Sequence, residues 1–266
     1  MAQSFKGKII WITGASSGIG EALAYEFAKY HVKLILSARR RNELERVASR
    51  CIELGSECFI FTFDLSNPDQ IEAVANEVLT QFNVIDILVN NGGVTQRSLV
   101  SETLVEVDRR IMEIDFFSGV ILTKKVLPSM IRRNSGHIVV ISSVTGLFGF
   151  PLRSAYAAAK HAIQGFYETL WAELYPQGID VTIACPGRIR TNVSLNALTK
   201  DGSPHGIMDH GQDEGFSAEF CAKKIIKAVR RKKIEVYIAG KELILIYFKR
   251  YIPYLFYKIV TKADPT

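Results

Sequence analysis

Cysteine is scarce and dispersed in this chain: Cys51, Cys58, Cys185 and Cys221 are the four among 266 residues. They show no Cys-x-x-Cys spacing and no His/Cys cluster, which argues against a zinc site, a redox dithiol motif or a disulfide framework. They read as reduced, packed thiols of an intracellular protein. The histidines (His31, His137, His161, His205 and His210) are scattered, so neither a metal centre nor a histidine triad is expected. Proline is limited to 8 residues, and no Pro/Ser-rich linker or internal repeat divides the chain. Met1 to Lys8 lead into the first apolar run without a targeting segment, which predicts neither secretion nor an N-terminal anchor. The apolar stretch 242–260 is broken by Lys249, Arg250 and Pro253, too interrupted for a membrane span.

Acidic residues are lacking in one place only. From residue 223 onward the chain has twelve Lys/Arg against three Asp/Glu, whereas the whole chain is +6. The basic character is therefore local, centred on Lys223-Lys224 and Arg230-Arg231-Lys232-Lys233, and a nucleic-acid partner is not expected.

What is present is alternation. Strand-like apolar runs fall at 8–13, 32–37, 57–63, 85–89, 136–142, 179–184 and 234–238, with helical periodicity between most of them. This predicts an α/β fold, a doubly wound parallel sheet of about seven strands with helices on both faces. A hydrophobic content of 48% supports one substantial core. We expect a single domain over 1–240 with a C-terminal amphipathic helical extension over 241–266.

The first run ends in a glycine turn, Thr13-Gly14-Ala15-Ser16-Ser17-Gly18-Ile19-Gly20, and a helical pattern follows. Strand, glycine turn and helix in this order suit a dinucleotide. Gly14 permits the tight turn, Gly18 lets the backbone approach a pyrophosphate, and Gly20 allows helix to pack on strand. Helix N–H groups would then meet the phosphates. At the end of the second run no acid stands ready for a ribose 2′-hydroxyl. Ser37 is near that place, and Arg39 and Arg40 follow, which favours NADP(H) over NAD(H). Arg41 reads as the start of an exposed helix.

Tyr156 and Lys160 are four residues apart with three alanines between them. Such a pair shares one helix face, and a cation near a phenol favours phenolate, the basis of a tyrosine acid/base. Alone, the spacing is common on surface helices.

Together these motifs resemble the short-chain dehydrogenase/reductase family over nearly the whole chain. The glycine turn, with Ser16, Ser17 and Ile19, resembles its cofactor turn. Asp64-Leu65 is similar to the pair beside the adenine ring. Asn90-Asn91-Gly92-Gly93 resembles its Asn-Asn-Ala-Gly strand end, with glycine for alanine. Ile141-Ser142-Ser143 resembles the strand bearing the active serine, and the family's spacing selects Ser143, thirteen residues before Tyr156. Pro186-Gly187 through Ile189 and Thr191 resembles the segment lining the nicotinamide. Within the family the chain is most similar to membrane-associated members related to dehydrogenase/reductase member 7 and the 11β-hydroxysteroid dehydrogenases. The resemblance implies catalysis by Ser143, Tyr156 and Lys160, with Lys160 also binding the nicotinamide ribose, and a homodimer or homotetramer.

One position departs from the family pattern. Asp115, in Met112-Glu113-Ile114-Asp115-Phe116-Phe117-Ser118-Gly119, stands where a catalytic asparagine is expected. In relatives the backbone carbonyl of that residue helps hold a water linking the lysine to solvent. Aspartate keeps the carbonyl and adds a charge that opposes phenolate formation.

Residues 188–216 are polar and rich in glycine, with little helical period, and read as a substrate-covering loop that closes over substrate. In 242–260, Pro253 suggests two short helices. Tyrosines, leucines and phenylalanines beside lysines suit an interfacial helix touching a membrane from the cytoplasm. Packing of this tail on the pocket or on another subunit is the alternative. The expected activity is NADP(H)-dependent interconversion of a secondary alcohol and a ketone on a hydrophobic, steroid-, lipid- or xenobiotic-like substrate. A 3-oxoacyl or sphingoid ketone reductase is the alternative within that chemistry. Outside it stand a catalytically silent NADP(H)-binding redox sensor and a membrane-docked scaffold.

Overall fold

The structure, a computed structural model, describes residues 4–263. The first three residues of the N-terminal segment and the last three of the C-terminal extension lie outside the described residues.

β1 (Ile9–Thr13), α1 (Gly18–Ala28), β2 (Lys33–Ala38), α2 (Arg41–Glu53), β3 (Glu57–Thr62), α3 (Pro68–Phe82) and β4 (Ile87–Asn90) form the first half. α4 (Val105–Met112) continues through a π-helical turn at Glu113–Phe117 into α5 (Ser118–Arg133). β5 (Gly136–Ile141), α6 (Ser154–Leu174) and β6 (Ile179–Pro186) follow. Beyond them come β7 (Ile189–Arg190), α7 (His210–Asp213), β8 (Phe216–Ser217), α8 (Ala218–Arg230) and β9 (Glu235–Ile238). The chain ends in α9 (Glu242–Tyr251) and α10 (Pro253–Val260).

The main sheet runs β3-β2-β1-β4-β5-β6-β9, and every neighbouring pair is parallel. Each of these strands lies on one of the expected apolar runs. Central parallel strands are covered on both faces and therefore read as continuous Ile/Val/Leu. Alternate side chains supply two cores. Ile10, Ile12, Leu34 and Leu36 pack with Leu23, Phe27, Leu44 and Ile225 of α1, α2 and α8. Trp11, Ile35, Leu88 and Ile138 pack with Ile71, Val126 and Ile163 of α3, α5 and α6.

The strand order reverses between β1 and β4. In open α/β sheets such a switch point opens a crevice beyond the carboxyl ends of the strands. The loops carrying the sequence motifs all emerge there.

The segment 188–216 has more order than its composition suggests. β7 and β8 pair in parallel, Ile189 with Phe216 and Arg190 with Ser217. Leu198 bridges Gln96 on one side and Pro204 on the other. Two-residue strands and single bridges leave no periodic signal, which is why they were not expected.

In the tail, Pro253 starts α10, where its missing N–H costs nothing. Phe256 and Val260 are buried against Val144 and Phe148, just after β5. No helix among the described residues is long and apolar enough to cross a membrane.

Candidate active site

The crevice holds a cavity of about 620 Å³. Its floor is the glycine turn between β1 and α1. Gly14 (φ +63°) and Gly18 (φ +59°) both adopt the left-handed conformation that favours glycine. A Cβ on Gly20 would collide with the Gly14 carbonyl, so this glycine lets the helix seat on the strand end. Ser17 makes no side-chain cap on α1, which leaves the first N–H groups of the helix for a ligand.

β4 clamps the turn from the side. Thr13 Oγ1 accepts the Asn91 N–H at 3.0 Å and the Gly92 N–H at 3.2 Å. Asn91 Nδ2 donates to the Thr13 carbonyl at 2.9 Å and to the Gly14 carbonyl at 3.2 Å. The space that the Cβ of an alanine at Gly92 would fill is taken by the Leu65 side chain. Gly93 lies against the Asp115 carboxylate, where an added Cβ would come within 3.1 Å of its oxygen.

At the end of β2, the Ser37 hydroxyl is engaged by the Trp11 indole N–H at 2.9 Å. Beyond it, Arg39 and Arg40 line the groove together with the Asp64 carboxylate. Arg39 lies 3.8 Å from Asp64, and its side chain is 65% exposed. An exposed pair of this kind is worth less than about 1 kcal/mol, so it does not prevent Arg39 from turning to a phosphate. Burial would push the Asp64 carboxyl up, but hydrogen bonds from Ser66 and the guanidiniums of Arg39 and Arg110 hold it below its ordinary value. Arg110, on α4, also lines the cavity and was missed from the sequence.

The reacting groups gather at the other end. Tyr156 and Lys160 lie one turn apart on α6, and Lys160 Nζ is 5.4 Å from the phenol ring centre. Lys160 Nζ donates to the Ile141 carbonyl at 3.1 Å and pairs with Asp115 Oδ2 at 3.1 Å. The other oxygen of Asp115 accepts the Val94 N–H at 2.7 Å. Burial alone would lower the Lys160 ammonium, but the Asp115 carboxylate and the nearby Tyr156 hold it above its ordinary value. Burial pushes the Asp115 carboxyl up against the pull of Lys160. The expected link between this position and the lysine was a water on a backbone carbonyl. Here the side chain itself makes the contact.

Ser143 caps the short 3₁₀ turn Val144–Gly146. Its Oγ accepts the Thr145 N–H at 3.2 Å and the Thr145 hydroxyl at 3.0 Å, and donates to the Pro186 carbonyl at 3.4 Å. Ser142 turns its hydroxyl to the Lys160 carbonyl at 3.3 Å instead. Pro186, Gly187, Ile189 and Thr191 close the cavity from beyond β6, and a Cβ on Gly18 would sit 3.1 Å from the Thr191 methyl. Of the expected catalytic and cofactor-binding residues, all but Gly20 line this cavity.

A glycine turn under free helix N–H groups, opening on a half-buried tyrosine backed by a buried lysine at the switch point, defines a dinucleotide-dependent oxidoreductase. The profile of the short chain dehydrogenase family matches residues 8–201, and the chain belongs to that family. It is 41% identical over 270 residues to the dehydrogenase/reductase SDR family protein 7-like of Drosophila melanogaster, covering 98% of this chain and 83% of that one. Against dehydrogenase/reductase SDR family member 7B of Mus musculus the identity is 40% over 260 residues, with 96% and 80% covered. Among solved structures, a short-chain dehydrogenase from Streptomyces avermitilis superposes with a TM-score of 0.82 at 29% identity, covering 98% of this chain and 100% of that one. The cavity fits the NAD(P) cofactor that this family uses.

Proposed function

We propose that the protein is an NADP(H)-dependent carbonyl reductase, interconverting a secondary alcohol and a ketone on a hydrophobic substrate. The observation that carries this reading is the convergence of Ser143, Tyr156 and Lys160 on the cavity that also holds Arg39 and Arg40.

A bound nicotinamide supplies the hydride in reduction and takes it up in oxidation. Tyr156 gives its proton to the carbonyl oxygen as negative charge develops there. Ser143 holds that oxygen by a hydrogen bond, and its own orientation is fixed by Thr145 and Pro186. Lys160 stabilises the phenolate left behind and returns a proton to it, with Asp115 as the counter-charge behind it. Donors fixed in advance around a developing oxyanion are a dominant source of catalysis.

Two features support the finer reading. Arg39 and Arg40 supply cations where a 2′-phosphate would lie. Ile189, Val193 and Leu198 give the substrate side of the cavity an apolar lining. The test is NADPH and NADH consumption over steroid, acyl thioester, sphingoid and quinone carbonyls. We expect NADPH turnover with at least one hydrophobic ketone and a shift toward NADH in Arg39→Asp. Consumption of neither cofactor would reject the enzyme reading, and an NADPH preference untouched by Arg39→Asp would reject Arg39 as the selector.

The tail supports contact with a lipid surface. Ile244, Tyr247, Tyr251, Ile252, Tyr254 and Tyr257 are all at least half exposed on α9, α10 and the link between them. Lys249 and Lys258 lie over the rings of Tyr257 and Tyr254, a mixture suited to a headgroup layer. Deleting residues 241–266 should abolish co-sedimentation with anionic liposomes at low salt. Equal sedimentation of both forms would remove the membrane from the account.

A further inference from the structure

Gln96 and Arg97 belong to none of the motifs read from the sequence, yet both are buried, at 0% and 7% exposure. They lie between β4 and α4 and reach two different parts of the site.

Gln96 holds the catalytic helix. Its Oε1 accepts the Ala155 N–H at 2.9 Å, one residue before Tyr156. Arg153, at the cap position of α6, gives the helix no side-chain cap, so Gln96 meets that need from 59 residues away. Its amide nitrogen donates to Ser98 Oγ at 3.2 Å and Thr103 Oγ1 at 3.1 Å, which fixes the orientation of the side chain.

Arg97 holds the substrate-covering segment. Its guanidinium grips Asp209 through both Nε and Nη2, and the two side chains are only 3% and 4% exposed. Asp209 also accepts from Ser194 Oγ at 3.2 Å within the segment, and Arg153 Nη2 lies 3.4 Å away. The backbone adds to this grip. Arg97 N–H donates to the Leu198 carbonyl at 2.9 Å, and Leu198 N–H donates to the Thr95 carbonyl at 2.8 Å.

A lid that opens on every turnover has to expose whatever holds it shut. Opening 188–216 would have to break the two-pronged Arg97–Asp209 pair together with the backbone hydrogen bonds that join Leu198 to Thr95 and Arg97. We propose that 188–216 is a preformed wall and not a free lid, and that Gln96 and Arg97 are positioning residues joining that wall to the catalytic helix. Arg97–Asp209 sets the wall before substrate arrives, and Gln96 ties the same strip of chain to the turn that carries Tyr156. The proposal rests on Tyr156 being the proton donor.

The experiment is hydrogen exchange followed by mass spectrometry on the NADPH-loaded and free protein, with steady-state kinetics on a ketone that it reduces. In Asp209→Asn, exchange across 190–215 should accelerate by about tenfold or more while the sheet amides keep their protection. KM for the ketone should rise by more than the Kd for NADPH. Gln96→Leu should lower kcat with little change in KM. Arg97→Lys keeps the charge but loses the fork, and should show the Asp209→Asn pattern more weakly.

Parental exchange rates across 190–215 in both Asp209→Asn and Arg97→Lys would overturn the latch. Faster exchange with unchanged KM and kcat would overturn the positioning role. If the parent reduces no ketone, the functional reading fails, while the exchange measurement still judges the latch.

Discussion

Replacing Tyr156 by phenylalanine is expected to cut ketone reduction by roughly two to four orders of magnitude, the usual contribution of a positioned general acid. NADPH affinity should stay close to parental, because the phosphate-binding turn and the arginines are untouched. Phenylalanine keeps the ring that lies 5.4 Å from Lys160 and loses only the hydroxyl. The fold therefore survives, and the loss falls on the chemical step. Single-turnover absorbance at saturating NADPH measures it, and turnover within tenfold of the parent would remove Tyr156 as the acid.

Asp115→Asn should be the second large effect, visible in pH dependence more than in maximal rate. The carboxylate sits 3.1 Å from Lys160 Nζ with both side chains out of solvent, so it offsets the positive field that favours phenolate. Asparagine removes that offset. The alkaline limb of ketone reduction should then move to lower pH.

The same substitution leaves a buried ammonium without its counter-charge, which costs about 3–5 kcal/mol in comparable cases. The direction of each shift sets the window for this difference. Lys160 is held above its ordinary value, so its stabilisation is present below that value and is lost as pH rises through the elevated one. Asp115 is pushed up by burial, so the ion pair also fades when acid protonates the carboxyl. Parent and variant should differ most between those two limits and converge outside them. Matching pH–rate profiles and matching melting temperatures at neutral pH would dismiss the charge effect.

The central strands were legible because a parallel strand covered on both faces must be largely apolar, as Ile9 to Ile12 and Ile87 to Val89 are. The glycine turn was legible for a related reason. Gly14 and Gly18 adopt backbone conformations that few other residues tolerate, so the sequence has little freedom there. The direct contact between Asp115 and Lys160 was not legible. Asp115 lies within the π-helical turn Glu113–Phe117, a local departure from α-helical geometry that leaves no mark in hydrophobic periodicity. Gln96 and Arg97 were invisible because their meaning lies in partners 59 and 112 residues away. Nothing in their local sequence separates them from ordinary loop residues.

The docking of α10 carries a consequence for control. Phe256 and Val260 rest on Val144 and Phe148, and Val144 is bonded through its peptide to Ser143. On the proposal that the tail meets a lipid surface, its capture would pull on the backbone next to the serine proposed to hold the substrate oxygen. Attachment and turnover would then become one property, and catalytic rate would serve as a gauge of adsorption.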